Sequence, residues 1–214
     1  MTIGKCLYKT SRHIVTIDDY INLLLSTLIA TSGFALNSET VIIGSMLISP
    51  LLTPLINIAI ALLKWKGDAL KVISISIGHT ILMIIIVYAI SYAAGSVVLK
   101  YFPNIEEEIK DTENRHVITG RAELVHHTPK TWLFPSIIAI CGGILLARSQ
   151  CFENTLTTTI IGIGISTSIL PPIVAGGFYS SLGNLEKSLY SIALAILNIV
   201  LIFISYTATL FITW

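Results

Sequence analysis

Charge-free hydrophobic runs dominate the chain, and their lengths set its organisation. Ile21–Leu36 holds 16 residues without a charge, Val41–Leu63 holds 23 and Val72–Leu99 holds 28. A hydrophilic stretch, Lys100–Thr131, follows. Beyond it lie Trp132–Ala147 with 16 uncharged residues, Thr155–Leu185 with 31 and Ser188–Trp214 with 27. An apolar run of about 18 or more residues is a candidate to cross a bilayer, whose hydrocarbon core is about 30 Å thick. The two shortest runs reach that thickness with their flanking residues, or by local thinning. The runs do not alternate in hydropathy as barrel strands do. The pattern predicts an all-α polytopic membrane protein with six transmembrane helices.

The same pattern divides the chain. Residues 1–20 form a polar N-terminal arm, and residues 21–99 a first group of three spans. Residues 100–131 form a polar loop rich in acids (Glu106, Glu107, Glu108, Asp111, Glu113), and residues 132–214 a second group of three. An odd number of spans per group brings the chain into the second group from the opposite face. Two such groups are expected to be inverted repeats, related by a pseudo-two-fold axis in the membrane plane.

The second span of each group supports a duplication. Gly44–Pro54 reads GSMLISPLLTP and Gly162–Pro172 reads GIGISTSILPP. A shift of 118 positions places Gly44 on Gly162, Leu52 on Leu170, Pro54 on Pro172 and Asp68 on Glu186. Proline removes a backbone donor and pushes away the carbonyl four residues earlier. Pro50 therefore frees the carbonyl of Met46, and Pro54 that of Pro50. Pro171 and Pro172 free those of Thr167 and Ser168. Bare acceptors do not persist in hydrocarbon. Ser45, Ser49, Thr53, Ser166, Thr167 and Ser168 stand close enough to supply hydroxyls. Paired helix breaks of this kind mark the central site of transporter-like folds. The blander alternative is that the prolines only kink the helices and the serines repair the ladder. Gly44, Ser45, Ser49 and Thr53, like Gly164 and Ser168, also form small-residue faces, whose primary role is expected to be close helix packing.

Composition agrees with this class. The chain has 214 residues, of which 54% are hydrophobic and only 12% charged, against about 25% charged in a soluble domain. A net charge of +1 gives no case for nucleic acid. Cys6, Cys141 and Cys151 form neither a disulfide framework nor a zinc motif. No metal or other cofactor is expected. The first 20 residues carry Lys5, Lys9, Arg12, Asp18 and Asp19, so a cleavable signal peptide is not expected and the first span serves as an anchor. With the N-terminus inside, Lys and Arg in the flanking segments divide seven inside to six outside, a slight bias toward a cytoplasmic N-terminus. The expected location is the cell (inner) membrane.

Three larger polar residues lie inside the expected spans: Asn57, His79 and Asn198. In the 118 register Thr80 pairs with Asn198, so each third span carries a polar group at one depth. Intramembrane polar groups are costly and often functional, although interhelical hydrogen bonding is the commoner reason for them. His79 is the readily titrating side chain deep in a span, so a proton-coupled step runs through it if one exists. No Asp, Glu, Lys or Arg lies mid-span. Asp68 and Glu186 stand at helix starts, where they complement the dipole.

Two long motifs resemble a known family. Ala30–Leu62 (ATSGFALNSETVIIGSMLISPLLTPLINIAIAL) is one, and Ile163–Leu189 (IGISTSILPPIVAGGFYSSLGNLEKSL), followed by Leu197–Val200 (LNIV), is the other. They are similar to the uncharacterised hydrophobic-domain membrane proteins, domain of unknown function 389, over about residues 20 to 212. The resemblance implies fold and membrane location, and no established activity. The sequence departs from it at His127-Thr128-Pro129, where the family often has Arg-Thr, and at Trp132, Leu133 and Phe134, where an acidic residue is common. Family relatives often carry a soluble domain ahead of the first span, where this sequence has the short arm.

Three functions compete. The favoured one is a small transporter or channel for a neutral solute or an ion, with its site between the broken helices. A homo-oligomer is then expected, since six spans make a small bundle for enclosing a pathway alone. The alternative is a non-transporting scaffold or assembly component that docks through the acidic loop, although charged loops are usually only solvated. An intramembrane hydrolase using Ser45 and His79 is disfavoured, because no nucleophile elbow or third orienting group is present. No enzymatic activity is expected.

Overall fold

A computed structural model describes residues 15–36, 38–64, 67–102, 129–151 and 169–212. Most of the N-terminal arm, the acidic loop and Ser166, Thr167 and Ser168 lie outside these residues. The described residues are all-α, with seven helices and no strand. They are α1 (Ile17–Ala35), α2 (Glu39–Met46), α3 (Thr53–Leu63), α4 (Ala69–Tyr101), α5 (Pro129–Cys151), α6 (residues 169–181) and α7 (Leu185–Ile212).

Helix ends are set by caps that fall outside the charge-free runs. α1 starts four residues before its run. The Thr16 N–H (2.7 Å) and hydroxyl (3.0 Å) both donate to the Asp19 carboxylate, which ties down the first turn. Its buried face is Leu23, Ser26, Thr27, Ala30, Thr31 and Phe34, at helical spacing. The hydroxyls on that face are absorbed locally: Ser26 and Thr27 donate to Leu23 O, and Thr31 to Thr27 O. α5 begins at Pro129, inside the expected loop. Proline suits a first turn because its missing N–H has no helical partner there. Pro135 consequently stands at the seventh position of α5.

α6 ends in a left-handed turn. Gly183 has φ 74°. Asn184 N–H reaches Tyr179 O (3.0 Å) and Gly183 N–H reaches Ser180 O (3.1 Å), the paired bonds of a glycine-terminated helix. Asn184 then caps the next helix, its Oδ1 accepting from Lys187 N–H at 3.2 Å.

Packing joins α1 to α2 and α4, α3 to α4 and α7, and α5 to α7. Gly33 is where α2 folds back on α1, because a Cβ there would stand 2.8 Å from the Ile42 side chain. α1 and α4 run parallel. Tyr20 faces His79, and fourteen residues on, Phe34 meets Phe178, itself packed at Gly95 of α4. α6 crosses α4 at Gly177, where a Cβ would lie 2.6 Å from Tyr88 O, and at Gly95 against Ser181 and Phe178. Ser91 Oγ donates to Val174 O (2.6 Å) and Tyr88 O–H to Ser180 Oγ (2.9 Å) across that crossing. Gly143 of α5 admits Ser205, Ile202 and Tyr206 of α7 in the same way. Among the described residues nothing stands within 4 Å of where a Gly44 Cβ would be, so the close packing expected of it is not found there. The close approaches fall at Gly33, Gly95, Gly143, Gly176 and Gly177 instead.

Among the described residues two helices, α4 and α7, are long and apolar enough to cross a membrane. Only 22% and 33% of their most apolar stretches are buried. Large apolar side chains such as Ile75, Ile81, Ile85, Ile196, Val200 and Ile204 point outward, unlike those of a core helix in a soluble domain.

Candidate functional site at the helix break

The expected second span is broken in space as well as in sequence. α2 stops at Met46 and α3 starts at Thr53, with residues 47–52 outside either helix. The last turn of α2 tightens before it stops, with Leu47 N–H bonding Gly44 O and Ile48 N–H bonding Ser45 O, both at 3.3 Å. Pro50 then blocks continuation, since it has no N–H to offer Met46 O. Among the described residues no backbone donor replaces it. The carbonyl of Pro50, freed in turn by Pro54, does find a partner: Thr53 N–H at 3.1 Å. Pro54 thus opens α3 as its second residue and does not kink a continuous helix.

Side chains at the break divide into satisfied and unsatisfied. Ser45 is fully buried and donates to Ile42 O at 2.6 Å. Ser49 Oγ is buried with no hydrogen-bond partner among the described residues. Met46 is 5% exposed and Thr53 half-buried. Pro54 and Asn57 are buried on α3. Around them Met46, Leu51, Leu52 and Leu55 join one apolar cluster with Ile169, Leu170 and Ile173 of α6. The structure therefore brings the α2–α3 break into the same core as the described residues that follow Ser166, Thr167 and Ser168. Pro171 and Pro172 are buried in α6, and Asn198 is fully buried on α7.

His79 is half-buried on α4. Its Nδ1–H donates to Ile75 O at 2.7 Å, and its ring centroid lies 6.2 Å from that of Tyr20 in the first turn of α1. α3 and α4 are neighbours joined by a short turn. Thr53 and His79 are each ten residues from its ends, about 15 Å along either helix. His79 is thus level with the start of α3, and beside the capped end of α1.

Sequence reasoning missed the α4–α6 crossing. Gly95, Ser91, Gly177, Ser180 and Ser181 hold it together, and their small-residue spacing was the available signal. The groups that gather at the break are neutral oxygens. Among the described residues no cluster of His, Cys, Asp or Glu is placed to hold a metal, and the buried polar residues are all Ser, Thr or Asn.

The family model described as "Domain of unknown function (DUF389)" matches residues 46–204. An uncharacterized protein of Methanocaldococcus jannaschii is 28% identical over 204 residues, which is 93% of this chain and 56% of that protein. The chain spans about half the length of the curated relative it matches. No solved structure matches.

Proposed function

The chain belongs to the DUF389 family, whose model spans most of it, and from this premise we propose that it is a multi-pass membrane protein moving a neutral solute or an ion past the α2–α3 break. The observation that carries the proposal is the break itself. It leaves the Met46 carbonyl without a backbone donor, and the Ser49 hydroxyl buried without a hydrogen-bond partner, among the described residues. Irregular backbone at membrane depth is tolerated where it is enclosed by protein or lines a cavity. α2 covers about 12 Å and α3 about 16 Å, from 1.5 Å per residue. The break then falls near the middle of a spanning unit made from two helices that are each too short to cross.

The inverted repeat belongs to the same proposal. First and third helices pack within each group, as α1 on α4 and α5 on α7. The third helix of each group also meets the broken span of the other. α4 crosses α6, and α7 packs on α3. Such reciprocal crossings are the arrangement a pseudo-two-fold axis produces. In this reading the protein sits in the inner membrane with a cytoplasmic N-terminus, is non-enzymatic and assembles as a homo-oligomer.

Reconstitution into proteoliposomes tests the function. Flux of at least one class of small solute or ion should appear with the full chain and fall in Ser49→Ala and Pro50→Ala. Absence of flux for every class, with correctly inserted protein, leaves the scaffold reading in its place.

A further inference from the structure

The break is rich in acceptors by construction. Every residue from Met46 to Pro54 keeps its carbonyl, while Pro50 and Pro54 each delete an N–H donor. One surplus acceptor, Pro50 O, takes Thr53 N–H. That bond also consumes one of the donors that the start of α3 could have aimed at a ligand. A helix N-terminus binds anions through free N–H groups. Here the first residue's donor is spent and the second residue has none, which leaves Leu55 N–H, at the third residue, without a backbone acceptor among the described residues. Four consecutive carbonyls, those of Met46, Leu47, Ile48 and Ser49, receive no backbone donor among the described residues. Ser49 Oγ adds a buried hydroxyl without a partner among the described residues. Ser45 has already given its proton to Ile42 O, so its oxygen can only accept from, or coordinate, anything further.

We propose that the α2–α3 break binds a partly dehydrated monovalent cation through neutral oxygens, chiefly the Met46 carbonyl and the Ser49 hydroxyl. The proposal rests on reading the break as the site, and it narrows the ligand from any small solute to one charge class. Carbonyl and hydroxyl dipoles replace the hydration shell of a monovalent ion in filters of this chemistry. Divalent ions are held in proteins largely with carboxylates. The described residues bury only Ser, Thr and Asn among polar side chains, so a second positive charge has no buried counter-charge to meet it. An anion would have to draw on the N–H groups of Ser49, Leu51, Leu52 and Leu55, which also lack a backbone acceptor among the described residues, and the exchange of chloride for gluconate separates the two charges.

Purified full-length protein in detergent provides the test. Thermal unfolding is followed in sodium or potassium chloride against choline chloride at matched ionic strength, and then with chloride exchanged for gluconate. A ligand that binds only the folded state raises its stability with concentration. The expected result is a saturable rise in Tm with sodium or potassium, absent with choline and unchanged by the anion. Ser49→Ala should weaken the apparent affinity about tenfold, equivalent to ~1.4 kcal/mol, and Ser49→Thr should restore it. Three results overturn the proposal: equal melting in all cations, as expected if water alone fills the break; stabilisation that follows the anion; or an unchanged response in Ser49→Ala with the variant folded. Cation binding without flux in liposomes would remove the transport reading alone. Flux of a neutral solute without cation binding would remove this inference alone.

Discussion

α4 and the α2–α3 pair are packed neighbours that run through the molecule by different means. α4 runs unbroken for 33 residues. Three of its polar side chains are spent on its own backbone, His79 on Ile75 O, Thr80 on Ser76 O and Ser96 on Tyr92 O, and two more, Tyr88 and Ser91, bond across to α6. Back-bonding to the carbonyl four residues earlier keeps a hydroxyl satisfied inside an apolar helix. In the pair, Ser45 bonds the carbonyl three residues earlier, Ile42 O, but Ser49, four residues on, has no such bond. The cause is the backbone: residues 47–52 leave the helix, so Ser49 has no helical ladder of its own to bond. The hydroxyls of Ser191 and Thr207 in the continuous α7 are also buried without a hydrogen-bond partner among the described residues, so what sets Ser49 apart is its place in a break beside carbonyls that have lost their helical donors.

Four substitutions probe that contrast, in descending order of expected effect. Met83→Pro places a proline at a fully buried position in the middle of α4. It should destabilise the protein by ~3 kcal/mol or more, seen as a large drop in Tm, although the same residue type is native at positions 50 and 54. Gly177→Ala drives a methyl toward Tyr88 O and Ser91. It should cost about 1–3 kcal/mol, because the contact is with backbone, and chemical denaturation would measure it. Ser91→Ala removes the bond to Val174 O and should cost about 0.6 kcal/mol, the average for hydrogen bonds between membrane helices. Thr80→Val loses only a bond within α4 and should change stability by less than ~0.5 kcal/mol. A cost for Thr80→Val as large as that of Gly177→Ala would end the distinction between local and crossing contacts.

Much of this contrast was legible in the chain. Pro50 and Pro54 locate the break, and the structure places it between Met46 and Thr53. The freed Met46 carbonyl follows from covalent chemistry alone, as does Pro50's need for a new donor. The identity of that donor, Thr53 N–H, depends on turn geometry that proline spacing does not encode. Helix ends were misjudged wherever the cap lay beyond the charge-free run, at Thr16–Asp19 and at Pro129. Charge marks where hydrocarbon ends, whereas capping marks where a helix ends. Gly44 reads as a packing residue from its spacing, but a glycine packs closely only if another element approaches it, and none of the described elements does. A single sequence shows one side of a contact, so the α4–α6 crossing at Gly95 and Gly177 was not read. Ser166, Thr167 and Ser168, the hydroxyls expected at the second break, lie outside the described residues.

Thiol labelling across the bilayer tests the break most directly. In a background with Cys6, Cys141 and Cys151 changed to serine, Ser49→Cys and Thr80→Cys are compared in sealed vesicles using a small membrane-impermeant thiol reagent. A wet site at the break predicts rapid labelling of Ser49→Cys and little at Thr80→Cys, with sodium or potassium slowing the reaction at position 49. If Ser49→Cys is as unreactive as Thr80→Cys, the break is a dry kink and the proposed site is wrong.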